Sequence, residues 1–366
     1  MRPGSEAELS EMVRTASAPI VVRGGGTRAI GLGEGDVLET GGLSGIELYE
    51  PGALTLVARA GTRLAEIEAA LAAEGQRLPF EVPDLRGLLG RQGESTIGGV
   101  VAANASGPRR VQAGACRDSL IGVRFVTGEG VIVKNGGRVM KNVTGYDLVK
   151  LMAGSWGSLG VLSEVSFKVL PTPSTSATMV LEGLSDVQAV AAMSSALGSP
   201  YEVNGAAHWP GVGTFLRIEG LSASVSYRAR ELQRHLAAFG DVACEEGAAR
   251  WPAIRDVAPF QTHEGDVWRL SVKPSDAPGL VARMGAEAVL YDWGGGLIWA
   301  LMAPGTDLRA RLGVFAGHAT RVRGDGATPA MPPEAPALAV LTAGLRAKFD
   351  PKALFRGGRA DVARAG

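Results

Sequence analysis

Histidine and cysteine are scarce in this chain, at four and two residues of 366. Cys116 and Cys244 stand far apart, and there is no CxxC pair or four-cysteine cluster. The chain alone therefore cannot ligate an iron–sulfur cluster. A single disulfide would use both cysteines; two reduced thiols suit a cytosolic protein better. His208, His235, His263 and His318 show no HxH or HxxH spacing. They read as packing or surface residues rather than metal ligands. Charge is sparse too, at 20 % of residues, and sums to zero. A neutral balance gives no reason to expect nucleic acid as a partner, and it opposes association with other proteins only weakly. No apolar run reaches the ~18–20 residues of a membrane span. Residues 1–10 are polar and acidic, unlike a signal peptide. A cytoplasmic location is the expectation.

Glycine is the residue in excess, with 52 copies. It clusters at 24–26, 98–99, 136–137, 154/157/160 and 294–296. Glycine weakens helices and strands, so such clusters mark turns or places where backbone meets backbone or ligand. At 46 % hydrophobic, the chain can fill a core, and its length predicts two domains.

The first half mixes short helices and strands. Residues 5–18 read as a helix opened by a Ser5/Glu8 capping box. Residues 20–22 form a strand running into Arg23-Gly-Gly-Gly-Thr27, and 54–60 form another. Thr62 is placed to cap a helix ending at Gly75. Residues 123–126 and 130–133 suggest a hairpin. Thr144 and Asp147 suggest a second capping box, and 160–170 a long strand. Proline, serine and threonine at 171–176 mark a boundary. Beyond it, strand and helix patterns follow the order β-α-β-β-α-β twice, at 177–244 and 267–323. This is the ferredoxin-like split unit, and two copies can pair edge to edge in one antiparallel sheet. A last helix at 337–349 aligns Leu338, Leu341, Leu345 and Phe349. The expected domains are 1–173, 174–336 and a C-terminal helix and tail, 337–366, returning to the first domain.

The strand-end loop at residues 20–27, Ile-Val-Val-Arg-Gly-Gly-Gly-Thr, offers consecutive N–H groups with no Cβ to hold an anion away, which suits a pyrophosphate. It is neither GxGxxG nor a Walker sequence. A second loop covers residues 95–107, Ser-Thr-Ile-Gly-Gly-Val-Val-Ala-Ala-Asn-Ala-Ser-Gly. A third covers 154–161, Gly-Ser-Trp-Gly-Ser-Leu-Gly-Val. Three such loops in this order say far more than any one.

With these motifs the chain resembles the FAD-binding domain of the vanillyl-alcohol-oxidase/PCMH flavoproteins. "VVRGGGT", "STIGGVVAANASGP", "GGRVMKNVTGYDLVKLMAGSWGSLGVLSEVSFKVLP" and "LRAKFDPKALFRGGR" carry the resemblance. Within that family, "KNVTGYDLVKLMAGSWGSLG" and "YDWGGGLIW" look like the FAD-binding E subunits of bacterial glycolate oxidase (glycolate dehydrogenase). The resemblance implies an α+β fold. A PCMH-type FAD-binding domain of two α/β subdomains comes first. A ferredoxin-like antiparallel sheet with helices on one face follows. It implies that Arg23, Gly24, Gly25, Gly26 and Thr27 hold the pyrophosphate of FAD. Thr96, Gly98 and Gly99, with Asn104, Ser106 and Gly107, would line the ribityl and flavin region. Gly157, Gly160 and Val161 would touch the adenosine side or the ring through backbone atoms, or else form a tight turn into the strand.

The departures from relatives matter as much. Many carry a histidine near the first loop that is bonded to FAD; here no histidine precedes His208, so noncovalent FAD is expected. Trp156 stands where many relatives have glutamate, and Arg356-Gly357-Gly358 where they have asparagine-proline-glycine. Self-sufficient 2-hydroxy-acid dehydrogenases of the family bind metal and substrate through histidine strings in the second domain. The corresponding stretches here, 291–299 and 316–319, lack the histidines of the first string. Catalytic residues stay unassigned; Asp292 and His318 are the candidates for acid–base work. Arg109, Arg110, Lys141 and Arg356 are candidates for stabilising a reduced flavin, or are solvated charges. The stretch from Trp251 to Arg255 is a lid or a helix start. Three readings follow. One is an FAD subunit of a glycolate dehydrogenase, with a catalytic FAD subunit and an iron–sulfur subunit as partners, through which it would be held peripherally at the inner membrane. The others are a self-sufficient oxidase of a small hydroxy acid and a scaffold that has lost flavin function.

Overall fold

The computed structural model describes residues 1–28, 30–31, 33–137, 145–325 and 328–357. Lys141, Thr144, Gly358 and the last residues of the tail lie outside them. The N-terminal helix Glu6–Thr15 is capped by Ser5, whose hydroxyl accepts from Glu8 N at 3.2 Å. The box is only half formed, because the Glu8 carboxylate accepts from Gly4 N instead. This helix buries Leu9 and Val13 beside the parallel pair Ile20–Arg23 and Asp36–Glu39. The C-terminal segment joins the same core: Phe355 bridges Ile20, and Leu354 and Phe355 are buried. The Asp350 carboxylate fixes that return by accepting from the N–H groups of both.

A five-stranded antiparallel sheet forms the second body of the N-terminal half, in the order Ile46–Glu50, Thr55–Arg59, Val161–Lys168, Leu120–Val126, Ile132–Gly136. Thr62 does not cap the helix that follows the second of these strands. Arg63 takes that position before Leu64–Ala73, and the Thr62 hydroxyl donates to backbone carbonyls, including Arg59 O at 2.7 Å. The competing local bond wins, as is common for threonine in turns.

Residues 175–323 build one eight-stranded antiparallel sheet. Its order is Ala243–Glu246, Thr175–Leu181, Gly213–Gly220, Gly205–Trp209, Ala288–Asp292, Leu297–Met302, Asp266–Val272, Gly317–Arg323. Each four-strand half has the split-unit order. The halves join edge to edge through His208 and Tyr291, as the sequence pattern allows. Alternation along the strands sorts the two faces. Met179, Leu216, Trp268, Ile298 and Ala300 pack under the helices Asp186–Leu197, Ser222–Leu236 and Ala277–Met284. Val180, Phe215, Val267 and Trp299 face the other way, with Ile30, Leu85 and Leu88 of the N-terminal half. The helix Pro336–Phe349 buries no residue fully, and Leu338, Leu341 and Leu345 are exposed. Of the four aligned apolar residues only Phe349 finds a partner in the core, packing against Phe125. Among the described residues no helix is long and apolar enough to cross a membrane.

Candidate functional site

The three glycine loops converge on one cleft. Arg23 to Arg28, Thr96, Gly98, Gly99, Ser155, Trp156, Gly157 and Gly160 all line it. The loops close because side chains are missing where they cross. A Cβ on Gly25 would lie 1.6 Å from Glu94 O, and one on Gly98 would lie 2.7 Å from Ala60 O. Thr96 opens the short helix Ile97–Ala102, its hydroxyl accepting from Gly99 N. Trp156 holds a left-handed backbone (φ 53°), a costly conformation for a bulky residue. Its N–H donates to Ala102 O, so the third loop is tied to the second. The C-terminal segment locks it from outside, because a Cβ on Gly357 would meet Trp156 O at 2.1 Å.

The cleft opens into a cavity of about 560 Å³ between the loops and the eight-stranded sheet. Arg28, Ala103, Ser155 and Trp156 line both spaces. Asn104 and Ser106 line this second cavity, and Asn104 is also left-handed (φ 46°). Two of the residues expected to bind the cofactor line neither space. Val161 is buried in the core with Leu9 and Ile20. Gly107 lies between the two halves of the molecule, where its carbonyl accepts from Trp293 Nε1 at 3.0 Å.

The donor set fits a dinucleotide such as FAD. The N–H groups of Gly25, Gly26 and Thr27 donate to no acceptor among the described residues. Ser155 Oγ is buried without a hydrogen-bond partner, between the two spaces. Buried polar groups are seldom left unmatched, so a ligand rich in acceptors suits the site.

Arg109, together with residues that the sequence does not single out, binds the two halves together. Arg217 on strand Gly213–Gly220 donates to both oxygens of Glu81, at 2.8 and 3.1 Å. Arg109 donates to both oxygens of Glu219, at 2.9 and 3.2 Å, and Arg77 adds a third donor at 2.9 Å. Burial pushes the Glu219 carboxyl up, but hydrogen bonds and charge from Arg109, Arg77 and Arg217 outweigh it and hold it at about 2. Arg109 is thus an interface residue. Arg110 lines the cavity and lies 4.5 Å over the Trp293 ring. Arg356 lines neither space; its side chain donates to Ala353 O.

Asp292 is deeply buried, its carboxylate accepting from Trp293 N at 2.7 Å. Burial pushes its pKa up to about 7, yet it lines neither space. His318 stands at the cavity wall and is exposed. His208 is a packing residue, bonded to Thr214 Oγ1 at 2.9 Å. The stretch from Trp251 to Arg255 is a short helix, with Trp251 buried under the Arg217 guanidinium. The glycine run 294–296 makes the tight turn between two strands; a Cβ on Gly294 would meet Leu197 at 2.5 Å.

This fold and cleft define a flavoprotein, and residues 1–136 match the family model described as "FAD binding domain". The chain is 38 % identical to the glycolate oxidase subunit GlcE of Escherichia coli (strain K12) over 364 residues, covering 97 % of each. It belongs to the family of that subunit. Glycolate oxidase subunit GlcD of Bacillus subtilis (strain 168) is 33 % identical over 189 residues, 49 % of this chain and 38 % of that one. The solved structure of alkyldihydroxyacetonephosphate synthase superposes with a TM-score of 0.71 at 16 % identity, covering 98 % of this chain and 76 % of that one. At that identity the likeness concerns the fold alone.

Proposed function

We propose that this chain is the FAD-binding subunit of a multi-subunit glycolate (2-hydroxy acid) dehydrogenase. The observation that carries the reading is the convergence of three glycine loops on one cleft with free backbone donors. Identity to a glycolate oxidase subunit along 97 % of both chains adds the substrate class. Bound there, FAD would supply a two-electron acceptor for the oxidation of a carbinol to a carbonyl. Arg23 to Thr27 hold the pyrophosphate. Thr96, Gly98 and Gly99, with Asn104 and Ser106, flank the ribityl chain and the ring, and Gly157 and Gly160 complete the wall. No histidine precedes His208, so FAD is held noncovalently. Residues 1–173 form the FAD domain, 174–336 the covering domain, and 337–366 the return to the first.

The chain has two cysteines, of which Cys116 is buried and Cys244 exposed. An iron–sulfur subunit therefore carries the electrons away, and a second flavin subunit completes the complex. The assembly sits in the cytoplasm, peripheral to the inner membrane. Co-purification from the native host tests this, with an absorption spectrum and a dye-linked glycolate assay on the complex and on the separated chain. The expected result is yellow chain that releases its flavin on acid precipitation and turns over only with its partners. Colourless chain, or equal turnover alone, would sink the reading.

A further inference from the structure

The arginines between the two halves fall into two groups. Arg77, Arg109 and Arg217 each meet Glu81 or Glu219. Arg110 and Arg269 meet no carboxylate: among the described residues neither side chain makes a hydrogen bond or an ion pair. Arg269 stands on strand Asp266–Val272, opposite Trp299 in register. By alternation it belongs to the face that carries Val267 and Trp299. Its guanidinium lies 5.1 Å from the Trp293 ring and 6.0 Å from the Trp299 ring. Arg110 comes from the N-terminal half and lies over the same Trp293 ring. Both arginines line the 560 Å³ cavity.

Both arginines are half-buried; an unpaired cation that is partly withdrawn from water carries a desolvation cost, and two in one cavity repel each other. Burial, aided by the nearby charge of Arg110, pulls the Arg269 guanidinium down to about 10. Aromatic faces offset only part of that cost. A bound anion removes the rest, and a planar carboxylate matches the guanidinium fork. We propose that this cavity is the chain's own binding site for the carboxylate of a small hydroxy acid, with Arg269 and Arg110 as its partners. The choice of a hydroxy acid rests on the function proposed above. The consequence goes further: this subunit itself meets the substrate and does not only relay electrons.

The test titrates the full-length chain, with and without added FAD, with oxalate and with its neutral analogue oxamide. Tryptophan fluorescence is the readout, because Trp293 and Trp299 stand against Arg269. Oxalate is expected to give a saturable change and oxamide none. Arg269→Gln should weaken oxalate binding at least tenfold with flavin content unchanged. Arg110→Gln should do likewise, and Arg269→Lys, which keeps the charge, should fall between. Circular dichroism verifies that the variants fold; if Arg269→Gln does not, the comparison of Arg269→Lys with Arg110→Gln decides. No saturable response in the wild type, or equal oxalate affinity in wild type and variants, overturns the proposal. So does loss of FAD in place of oxalate, which would assign the arginines to the cofactor. Chain that binds oxalate but never FAD keeps the anion site and sinks the flavin reading; chain that binds FAD but not oxalate does the reverse.

Discussion

The two faces of the eight-stranded sheet are built on the same strands from different chemistry. Under the helices the face is mainly apolar: Met179, Leu216, Trp268, Leu270, Ile298 and Met302 are all buried, with His208 a polar exception. Toward the glycine loops the same strands present Phe215 and Trp299, but also Arg217, Glu219 and Arg269. An apolar face gains free energy from every contact and tolerates small shifts. A face of buried ion pairs gains little net stability, but it permits only one register. The first face therefore holds the sheet together. The second sets where the loops stand against it, and hence the shape of the cavity between them.

If that division is right, the largest loss of stability comes from the helix-covered face. Trp268→Ala should destabilise the chain by about 3–5 kcal/mol, as for other large-to-small core changes. Its urea midpoint should fall with flavin affinity nearly unchanged, once folded protein is compared. Next comes the charged face. Arg217→Met removes both charged hydrogen bonds to Glu81, which keeps the Arg109 N–H at 2.8 Å and the Arg109 guanidinium at 3.5 Å, and should cost about 3 kcal/mol. The double variant Glu81→Leu/Arg217→Met should recover most of that stability, yet lose flavin affinity, because the register it fixed is gone. Full retention of flavin binding by the double variant would erase the distinction between the faces.

The charged face also makes a pH signature of its own. Glu219 has a folded pKa of about 2 against an ordinary value of 4.5. A depressed carboxyl stabilises the folded state fully above the unfolded value, and this contribution is lost as pH falls through the folded one. Glu219→Gln should therefore cost about 2 kcal/mol near pH 7, the worth of charged hydrogen bonds. The gap between wild type and variant should shrink between about pH 4.5 and 2. Urea titrations at stepped pH measure it. A gap that is constant with pH would remove Glu219 from the ion pairs.

Much of this architecture is legible in the sequence, for local reasons. The helix Asp186–Leu197 is bounded by Ser185 and Gln188, which make both bonds of a capping box. The doubled strand-helix order carries the split sheet and its joining edge. The glycine loops are legible as a set, although their crossings are not. Gly25 looks like a ligand contact, yet its missing Cβ first makes room for Glu94 O. A Gly25→Asp change would thus move the loop before it repelled a phosphate. The interface arginines were not separable by reading. Arg109 and Arg110 are neighbours with the same surroundings in sequence. One meets Glu219 from 110 positions away and the other meets a tryptophan ring. Only long-range pairing divides them.

The helix Pro336–Phe349 supplies the smallest expected effect and the sharpest limit on reading apolar periodicity as burial. Leu338, Leu341 and Leu345 recur at helical spacing, as they would on an inward face. Here Leu338 is 57 % and Leu341 64 % exposed. The helix is anchored at its end, by Phe349 against Phe125 and by the Asp350 bonds to the returning strand, and not along its stripe. Substituting the stripe removes almost no buried surface. Leu341→Ser should therefore change stability by less than about 0.5 kcal/mol, the ordinary range for surface changes, part of it from the poorer helix propensity of serine. Phe349→Ala, at the anchored end of the same helix, should cost several times more. Urea unfolding of the two variants side by side makes the comparison. A Leu341→Ser loss as large as that of Phe349→Ala would mean that the stripe is buried in the folded protein.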